Sequence, residues 1–227
     1  MLLFIVDIDG TLVRVQEASG RALRQVLEEW YHLPDPFLGI PLSGRTDRNI
    51  VEAICRRYGL PLPDWPPFIA RMAEHLAREL ARTPGSLCPA ADAFAAQAHR
   101  HPDVRLALGT GNFRTCAYLK LAAHRLDGYF PVGGFGEDGP DRAAVLRQAW
   151  RAAAAYYGLT AADPVVIGDT PLDVEAAHAA GFPCIGVATG HFRPAELQAA
   201  SPDALIEDLS QVWEALKAIP LRSSSRF

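Results

Sequence analysis

Residues 2–12 read LLFIVDIDGTL: five apolar residues lead directly to Asp7 and Asp9, with a glycine after them. An uninterrupted apolar run is typical of a strand buried on both faces, as in a parallel sheet. Ionised aspartates are rarely buried without a partner, and ligands of open α/β sheets bind at the carboxyl ends of the strands. The pair therefore predicts a site at the end of the first strand, with a simple Asp-Gly-Thr turn as the structural alternative.

The composition narrows the class of protein. The chain has 227 residues, 49% of them hydrophobic, which is enough for one large domain or for one domain with an insert. A net charge of −4 disfavours a nucleic-acid partner, and no apolar stretch is long enough to predict a membrane span. Four scattered cysteines without a Cys-x-x-Cys pair predict reduced thiols and a cytoplasmic location.

The pattern of predicted elements changes once along the chain. The first strand is followed by helices alone, which are predicted near 19–31, 47–58 and 68–82. Strands and helices alternate after Gly85, which is typical of a doubly wound parallel sheet. The strands are predicted near 104–108, 164–167, 184–187 and 204–206, a short apolar segment lies at 129–132, and helices are predicted near 90–100, 115–126, 141–157, 172–180 and 209–219. We therefore predict an α/β core of residues 1–14 and 84–227 that carries an all-helical insert, residues 15–83, above Asp7.

Two later strand ends also carry polar residues. Residues 106–112 read LALGTGN, which places Thr110 between two glycines where a helix begins. Such a loop suits an anion, because glycine permits close backbone approach and the helix start offers free N–H groups. Residues 165–173 read VVIGDTPLD and end in Asp169 and Asp173. Two carboxylate clusters predict a site for a hard cation, and a cation beside an anion site suggests phosphoryl transfer.

At these residues the chain resembles the haloacid dehalogenase-like (HAD) hydrolase superfamily. The stretches DIDGT at 7–11, LGTGN at 108–112 and GDTPLD at 168–173 resemble three motifs of that superfamily, in its order. The insert resembles the helical cap of the phosphoglycolate phosphatase-like subgroup. The resemblance implies a Rossmann-like core and a Mg2+-dependent phosphatase that hydrolyses small-molecule phosphate monoesters through an aspartyl-phosphate. The resemblance is compatible with either a monomer or a homodimer.

The resemblance also implies roles for the acidic residues. Asp7 would be the nucleophile, and Asp9 would protonate the leaving alcohol and then activate water. Mg2+ would bind Asp7, the backbone carbonyl of Asp9, and Asp169. For Asp173 we expect orientation of the metal shell or of a basic residue, with direct metal contact as the alternative.

The resemblance further implies a phosphate site. The residues expected there are Thr110, Asn112 and the backbone near Gly10 and Gly111. The family usually adds a lysine just before the helix that leads to the last motif, but this region has none. The candidates for this cation are Arg142, at that helix start, and Lys120, two turns into the helix after LGTGN. We expect one of the two to contact the phosphate. The alternatives are an ion pair of Arg142 with Glu137 or Asp138, and a solvated helix face for Lys120.

The substrate is expected to be selected by the insert. Residues 40–47, IPLSGRTD, resemble the cap loop that reaches the site in this subgroup. Arg45 would meet a substrate carboxylate there, whereas pairing with Asp47 or solvent is the alternative. Asp9 is absent or replaced in the dehalogenases and phosphonatases of the superfamily, so its presence favours a phosphate ester. A sugar-phosphate mutase of the β-phosphoglucomutase type and a catalytically silent phosphate-binding relative remain the alternative functions.

Overall fold

A computed structural model describes residues 1–33, 35–37, 39–40 and 44–221, apart from the side chain of Gln16. The strands are β1 (Leu2–Val6), β2 (Val13–Arg14), β3 (Ser86–Leu87), β4 (Val104–Gly109), β5 (Gly133–Gly134), β6 (Asp163–Gly168), β7 (Cys184–Val187) and β8 (Ala204–Ile206). The helices are α1 (Gln16–Tyr31), α2 (Asp47–Tyr58), α3 (Trp65–Arg82), α4 (Ala91–Arg100), α5 (Arg114–Ala122), α6 (Arg142–Tyr157), α7 (Pro171–Ala180), α8 (Pro194–Ala199) and α9 (Val212–Ala215).

Six parallel strands form the central sheet in the order β5-β4-β1-β6-β7-β8. The first strand of the chain is therefore central, and all five of its residues are buried. Its alternate side chains enter two cores: Phe4 packs edge-on against Phe94 and Trp213, while Leu3 and Ile5 pack with helices α6 and α7. The predicted doubly wound parallel α/β sheet is confirmed.

Several predicted elements differ in detail from the structure. The helix predicted at 115–126 ends at Ala122, because Arg125 adopts a left-handed conformation that a right-handed helix cannot include. The apolar segment 129–132 leads into β5, whose two glycines pair with Leu108 and Gly109. The helix predicted at 209–219 is a series of short turns around α9. The sequence analysis missed β2, β3 and α8, each of which is too short to show a clear period.

Helices α1, α2 and α3 lie in the chain between β2 and β3, which pair as an antiparallel ribbon. We propose that residues 15–83 form the cap and that the ribbon joins it to the core. Arg14 in the ribbon donates from its guanidinium to the carbonyl of Thr189, at 2.9 and 3.2 Å, in the loop after β7. The four cysteines are buried and free. No helix in the described ranges combines the length and the apolar character needed to cross a membrane.

We expect Gly85→Ala, next to the ribbon, to lower the free energy of unfolding by about 2 kcal/mol or more. Gly85 has a φ of +76°, and a Cβ atom there would lie 2.2 Å from the carbonyl oxygen of Arg14. Gly59→Ala is the matched control, since Gly59 has a φ of +65° and no described atom within 4 Å of such a Cβ. Denaturant unfolding would measure both variants, and equal losses would show that crowding at the ribbon is unimportant.

Candidate active site

The register of the parallel strands brings three polar loops to one edge of the sheet. Val6 pairs with Leu108 on one side and with Ile167 on the other. Because parallel strands end at the same edge, the loops that contain Asp7, Thr110 and Asp169 start close together. They line a cavity of about 300 Å³ that residues of the cap also line.

Three buried carboxylates form the acidic part of this cavity. Asp7, Asp169 and Asp173 each place one oxygen within 4.8 Å of the others. Burial, reinforced by the charges of Asp173 and Asp9, raises the pKa of Asp7 to about 7, although Arg142 opposes the shift. Burial and the same neighbours raise the pKa of Asp169 well above its usual range. The excess of negative charge and the oxygen donors fit a hard divalent cation such as Mg2+.

The Asp169 carboxylate is confined by the backbone around it. The hydroxyl of Thr11 donates to its Oδ1 at 3.3 Å. A Cβ atom at Gly10 or at Gly190 would lie 2.3 or 1.7 Å from its Oδ2, so both positions require glycine. Asp169 is therefore held in place by close packing, with one neutral hydrogen bond and without an ion pair of its own among the described residues.

Asp173 has both carboxylate oxygens engaged within the protein. Its Oδ2 accepts hydrogen bonds from the backbone N–H (3.1 Å) and the hydroxyl (2.8 Å) of Thr170, the N-cap of α7. Its Oδ1 contacts the guanidinium of Arg142. This arrangement favours orientation of Arg142 over direct metal contact, although Asp173 belongs to the same acidic cluster.

A second network surrounds Asp9. The ammonium of Lys120 and the side-chain amide of Asn112 each donate to Asp9 Oδ2 at 2.6 Å. The Asn112 amide also donates to Thr110 Oγ1 at 2.8 Å. Asp9 Oδ1 is buried and has no hydrogen-bond partner among the described residues. One oxygen of Asp9 is thus held by the protein, and the other has no hydrogen-bond partner among the described residues.

Both candidate cations lie in the site. Lys120 is 1% exposed, so the alternative prediction that it lies on a solvated helix face is wrong. Burial alone would lower the pKa of Lys120, but Asp9 and Asp47 raise it, so the ammonium stays charged. Arg142 lies 3.2 Å from Asp7, so the alternative pairing with Glu137 or Asp138 is also wrong.

Those two acidic residues are engaged elsewhere. Glu137 accepts from the backbone N–H of Arg114 at 3.0 Å, and Asp138 accepts from that of Phe135 at 3.0 Å. The Arg114 guanidinium lies 3.6 Å from Asp138. Arg142, at the start of α6, therefore pairs with the carboxylates of the cavity.

The cap meets the loop after β4 through Asp47, which was considered from the sequence only as a possible partner of Arg45. Thr46 is the N-cap of α2, and its hydroxyl accepts from Asn49 N at 3.1 Å. Asp47 instead contacts the core: its N–H donates to Gly111 O at 2.8 Å, and its Oδ2 accepts from Phe113 N at 3.0 Å. Burial raises the pKa of Asp47 to about 6, opposed by Lys120.

Arg45 lies beside this contact. A Cβ atom at Gly111 would lie 2.5 Å from the Arg45 carbonyl, so glycine permits the close approach of the two segments. The Arg45 side chain is exposed, lines the cavity and forms no ion pair with any described residue, Asp47 included. Residues 41–43 of the predicted cap loop lie outside the described residues. Contact of Arg45 with a substrate carboxylate stays a prediction.

Most of the other residues that line the cavity were not predicted from the sequence, because they are ordinary helix or loop positions. They are Ser19, Gly20, Leu23, Phe37, Gly44, Ile50, Met72, Thr170 and His191. Most come from the cap, whose side chains meet the core only after folding.

The sequence matches the family model for haloacid dehalogenase-like hydrolases over residues 4–178, and a second HAD-hydrolase-like model over residues 146–212. The chain belongs to the haloacid dehalogenase-like hydrolases. It is 31% identical over 220 residues to the protein named "Phosphoglycolate phosphatase, plasmid" from Cupriavidus necator, with 95% of this chain and 91% of the relative covered. The chain is therefore an enzyme, a phosphatase of this hydrolase family.

Solved structures with lower identity share the fold. A hydrolase from Pseudomonas syringae has 21% identity and a TM-score of 0.68, covering 96% of this chain and 99% of its own. CbbY from Rhodobacter sphaeroides, solved with phosphate, has 20% identity and a TM-score of 0.68, covering 93% and 96%. A protein from Thermotoga maritima, provisionally named a β-phosphoglucomutase, has 21% identity and a TM-score of 0.61, covering 97% and 100%.

We expect Mg2+ to stabilise the protein more at high pH than at low pH. The pKa of Asp7 is raised from 3.8 to about 7 in the folded protein, so Asp7 binds its proton more tightly there than in the unfolded chain. The stability that this proton contributes is complete below pH 3.8 and is lost as the pH rises through about 7. A divalent cation would replace those protons, and its binding requires ionised carboxylates. The rise in Tm on adding Mg2+ should therefore be larger near about pH 8 than near about pH 5.

Asp169→Asn should abolish most of this Mg2+-dependent rise in Tm. The exposed Asp92→Asn, on α4, is the matched control and should retain it. An equal rise in the Asp169→Asn protein would contradict a metal site at these carboxylates.

We expect Lys120→Met and Arg142→Met each to lower kcat/KM for a phosphate monoester by about 100-fold or more, because each removes a cation that contacts a carboxylate of the site. Lys217→Met and Arg151→Met change exposed residues of the same types and should leave kcat/KM unchanged. Phosphate release provides the measurement. A large loss in one of these two site variants and no loss in the other would instead support the expectation from the sequence that a single cation contacts the phosphate.

Proposed function

We propose that this chain is a Mg2+-dependent phosphatase that hydrolyses small-molecule phosphate monoesters through an aspartyl-phosphate on Asp7. The observation that carries the proposal is the different environment of its two motif aspartates. Asp7 lies in the acidic cluster with Arg142, whereas Asp9 is held by Lys120 and Asn112 and has one oxygen without a hydrogen-bond partner in the described part of the chain. Two carboxylates in different environments suit the two different roles of nucleophile and acid/base.

Asp7 and Asp169 are the residues that we propose to hold Mg2+, together with the Asp9 carbonyl that the family resemblance implies. When bound, the ion would offset the repulsion between the phosphate ester and the Asp7 carboxylate. Asp173 would keep Arg142 beside Asp7, where a guanidinium also suits phosphate oxygens.

The first half-reaction uses Asp7 and Asp9. A carboxylate oxygen of Asp7 forms a bond to phosphorus, and the bond between phosphorus and the ester oxygen breaks. The protonated carboxyl group of Asp9 donates a proton to the departing oxygen, so that a neutral alcohol leaves. Lys120, Thr110 and the backbone near Gly111 bind the phosphate oxygens during this transfer.

The second half-reaction restores the enzyme. The Asp9 carboxylate accepts a proton from a water molecule, whose oxygen attacks phosphorus. The bond between phosphorus and the Asp7 oxygen then breaks, which releases inorganic phosphate and regenerates the Asp7 carboxylate. Asp9 is again protonated for the next cycle, so that water and ester are converted to alcohol and phosphate.

The test compares Asp7→Asn and Asp9→Asn with the wild-type protein on a panel of phosphate monoesters in the presence of Mg2+. We expect Asp7→Asn to abolish turnover and Asp9→Asn to slow it by about 10²- to 10⁴-fold. The loss in Asp9→Asn should be larger for alkyl phosphates than for 4-nitrophenyl phosphate, whose leaving group needs no proton. Asp92→Asn is the exposed control.

The alternatives have different outcomes in the same experiment. A mutase would convert a sugar phosphate into an isomer, and the product would be detected by NMR with little free phosphate. A catalytically silent relative would turn over no ester, and its Asp7 would not react with beryllofluoride and Mg2+. Full activity in Asp7→Asn would rule out the proposed nucleophile.

A further inference from the structure

The cap side of the cavity is mainly apolar. Each helix of the cap contributes one aliphatic side chain to the lining: Leu23 from α1, Ile50 from α2 and Met72 from α3. Phe37, in the segment between α1 and α2, also lines the cavity. Apolar groups that enter such a space gain the free energy of leaving water, whereas hydroxyl groups find few partners there.

The charged residues on the cap side are close to balanced. Arg45 is exposed, and Asp47 is two residues away on the same helix start. The histidine that lines the cavity, His191, comes from the loop after β7 and is exposed. Arg45 and Asp47 both line the cavity, so an anionic group on the leaving alcohol would face charges of both signs there. This part of the cavity therefore offers little preference for a second anion.

Gly20 is an unusual residue for its position. It lies inside α1 and lines the cavity, and its φ is not positive. A Cβ atom there would meet no described atom within 4 Å, in contrast to Gly10 and Gly111, where it would collide. Glycine in a helix interior costs about 1 kcal/mol relative to alanine. Neither backbone conformation nor crowding requires this glycine, and what its missing side chain provides is space in the cavity.

We propose that the cap selects phosphate monoesters whose leaving alcohol carries an uncharged, apolar carbon body, and that Gly20 sets the size of the body that the cavity admits. This inference rests on the proposed phosphatase function and names its substrate class. The phosphoryl group would lie at the carboxylates and Lys120, and the carbon body against the three aliphatic side chains and the Gly20 Cα. Phosphoglycolate, with a short and anionic leaving group, would use little of this surface.

The first experiment compares n-butyl phosphate, phosphoglycolate and glucose 6-phosphate with the wild-type protein and Mg2+. All three are esters of alcohols, and none has a leaving group as reactive as a phenol, so their intrinsic reactivities are similar. We expect kcat/KM for n-butyl phosphate to exceed the other two by about tenfold or more, the effect of a few methylene groups in an apolar pocket. A preference for phosphoglycolate or glucose 6-phosphate would overturn the substrate class and leave the phosphatase function intact. No turnover of any ester would reject both.

The second experiment narrows the cavity at Gly20. In Gly20→Leu we expect the ratio of kcat/KM for cyclohexylmethyl phosphate to that for methyl phosphate to fall by about tenfold or more. Gly20→Ala should lower the same ratio by less. The ratio does not depend on the fraction of active protein, so a partly unfolded variant cannot imitate the effect. If Gly20→Leu does not fold, the ratio measured in Gly20→Ala tests the proposal.

The control is Ala93→Leu, which adds the same side chain at an exposed position of α4 and should leave the ratio unchanged. An unchanged ratio in both Gly20 variants would overturn the role of Gly20. If the ratio fell as much in the Ala93→Leu protein as in the Gly20 variants, the role of Gly20 would also be overturned, because the effect would not depend on the cavity.

Discussion

Repulsion among buried carboxylates is the constraint on which the site depends. Asp7, Asp169 and Asp173 lie within 4.8 Å of one another at the end of the central strands, where little water reaches them. Such a cluster is tolerated only where opposite charge and rigid packing compensate for it. Arg142 supplies part of that charge, and the close contacts of Gly10 and Gly190 hold Asp169 in place.

The site has two networks of charged residues. Arg142 joins two carboxylates of the acidic cluster, whereas Lys120 and Asn112 hold Asp9. Lys120 is buried and Arg142 is partly buried, and both belong to helices that follow a strand of the central sheet. The cap completes the cavity through the contacts of Asp47 with the loop at Gly111 and Phe113. The cavity is therefore lined by side chains of both the cap and the core.

The candidate site could be predicted from the sequence where local rules suffice. Asp7, Thr110 and Asp169 each follow an apolar strand, and parallel strands end at a common edge, so their convergence follows from topology. The choice between Arg142 and Lys120 could not be made in this way. Both helices could have turned these residues to solvent, and only the packing of α5 and α6 on the sheet places both cations at the carboxylates.

The sequence alone determined the parallel α/β sheet, the family and the polar strand ends, because apolar runs, helical periods and short motifs are local properties of the chain. Only the tertiary structure decided which oxygen of Asp9 lacks a partner among the described residues, how Asp173 is engaged, and which cap residues line the cavity. These features depend on contacts between residues far apart in the chain, such as Asp9 with Lys120 and Asp47 with Phe113. The first contact forms when the core folds, and the second forms only when the cap packs on the core.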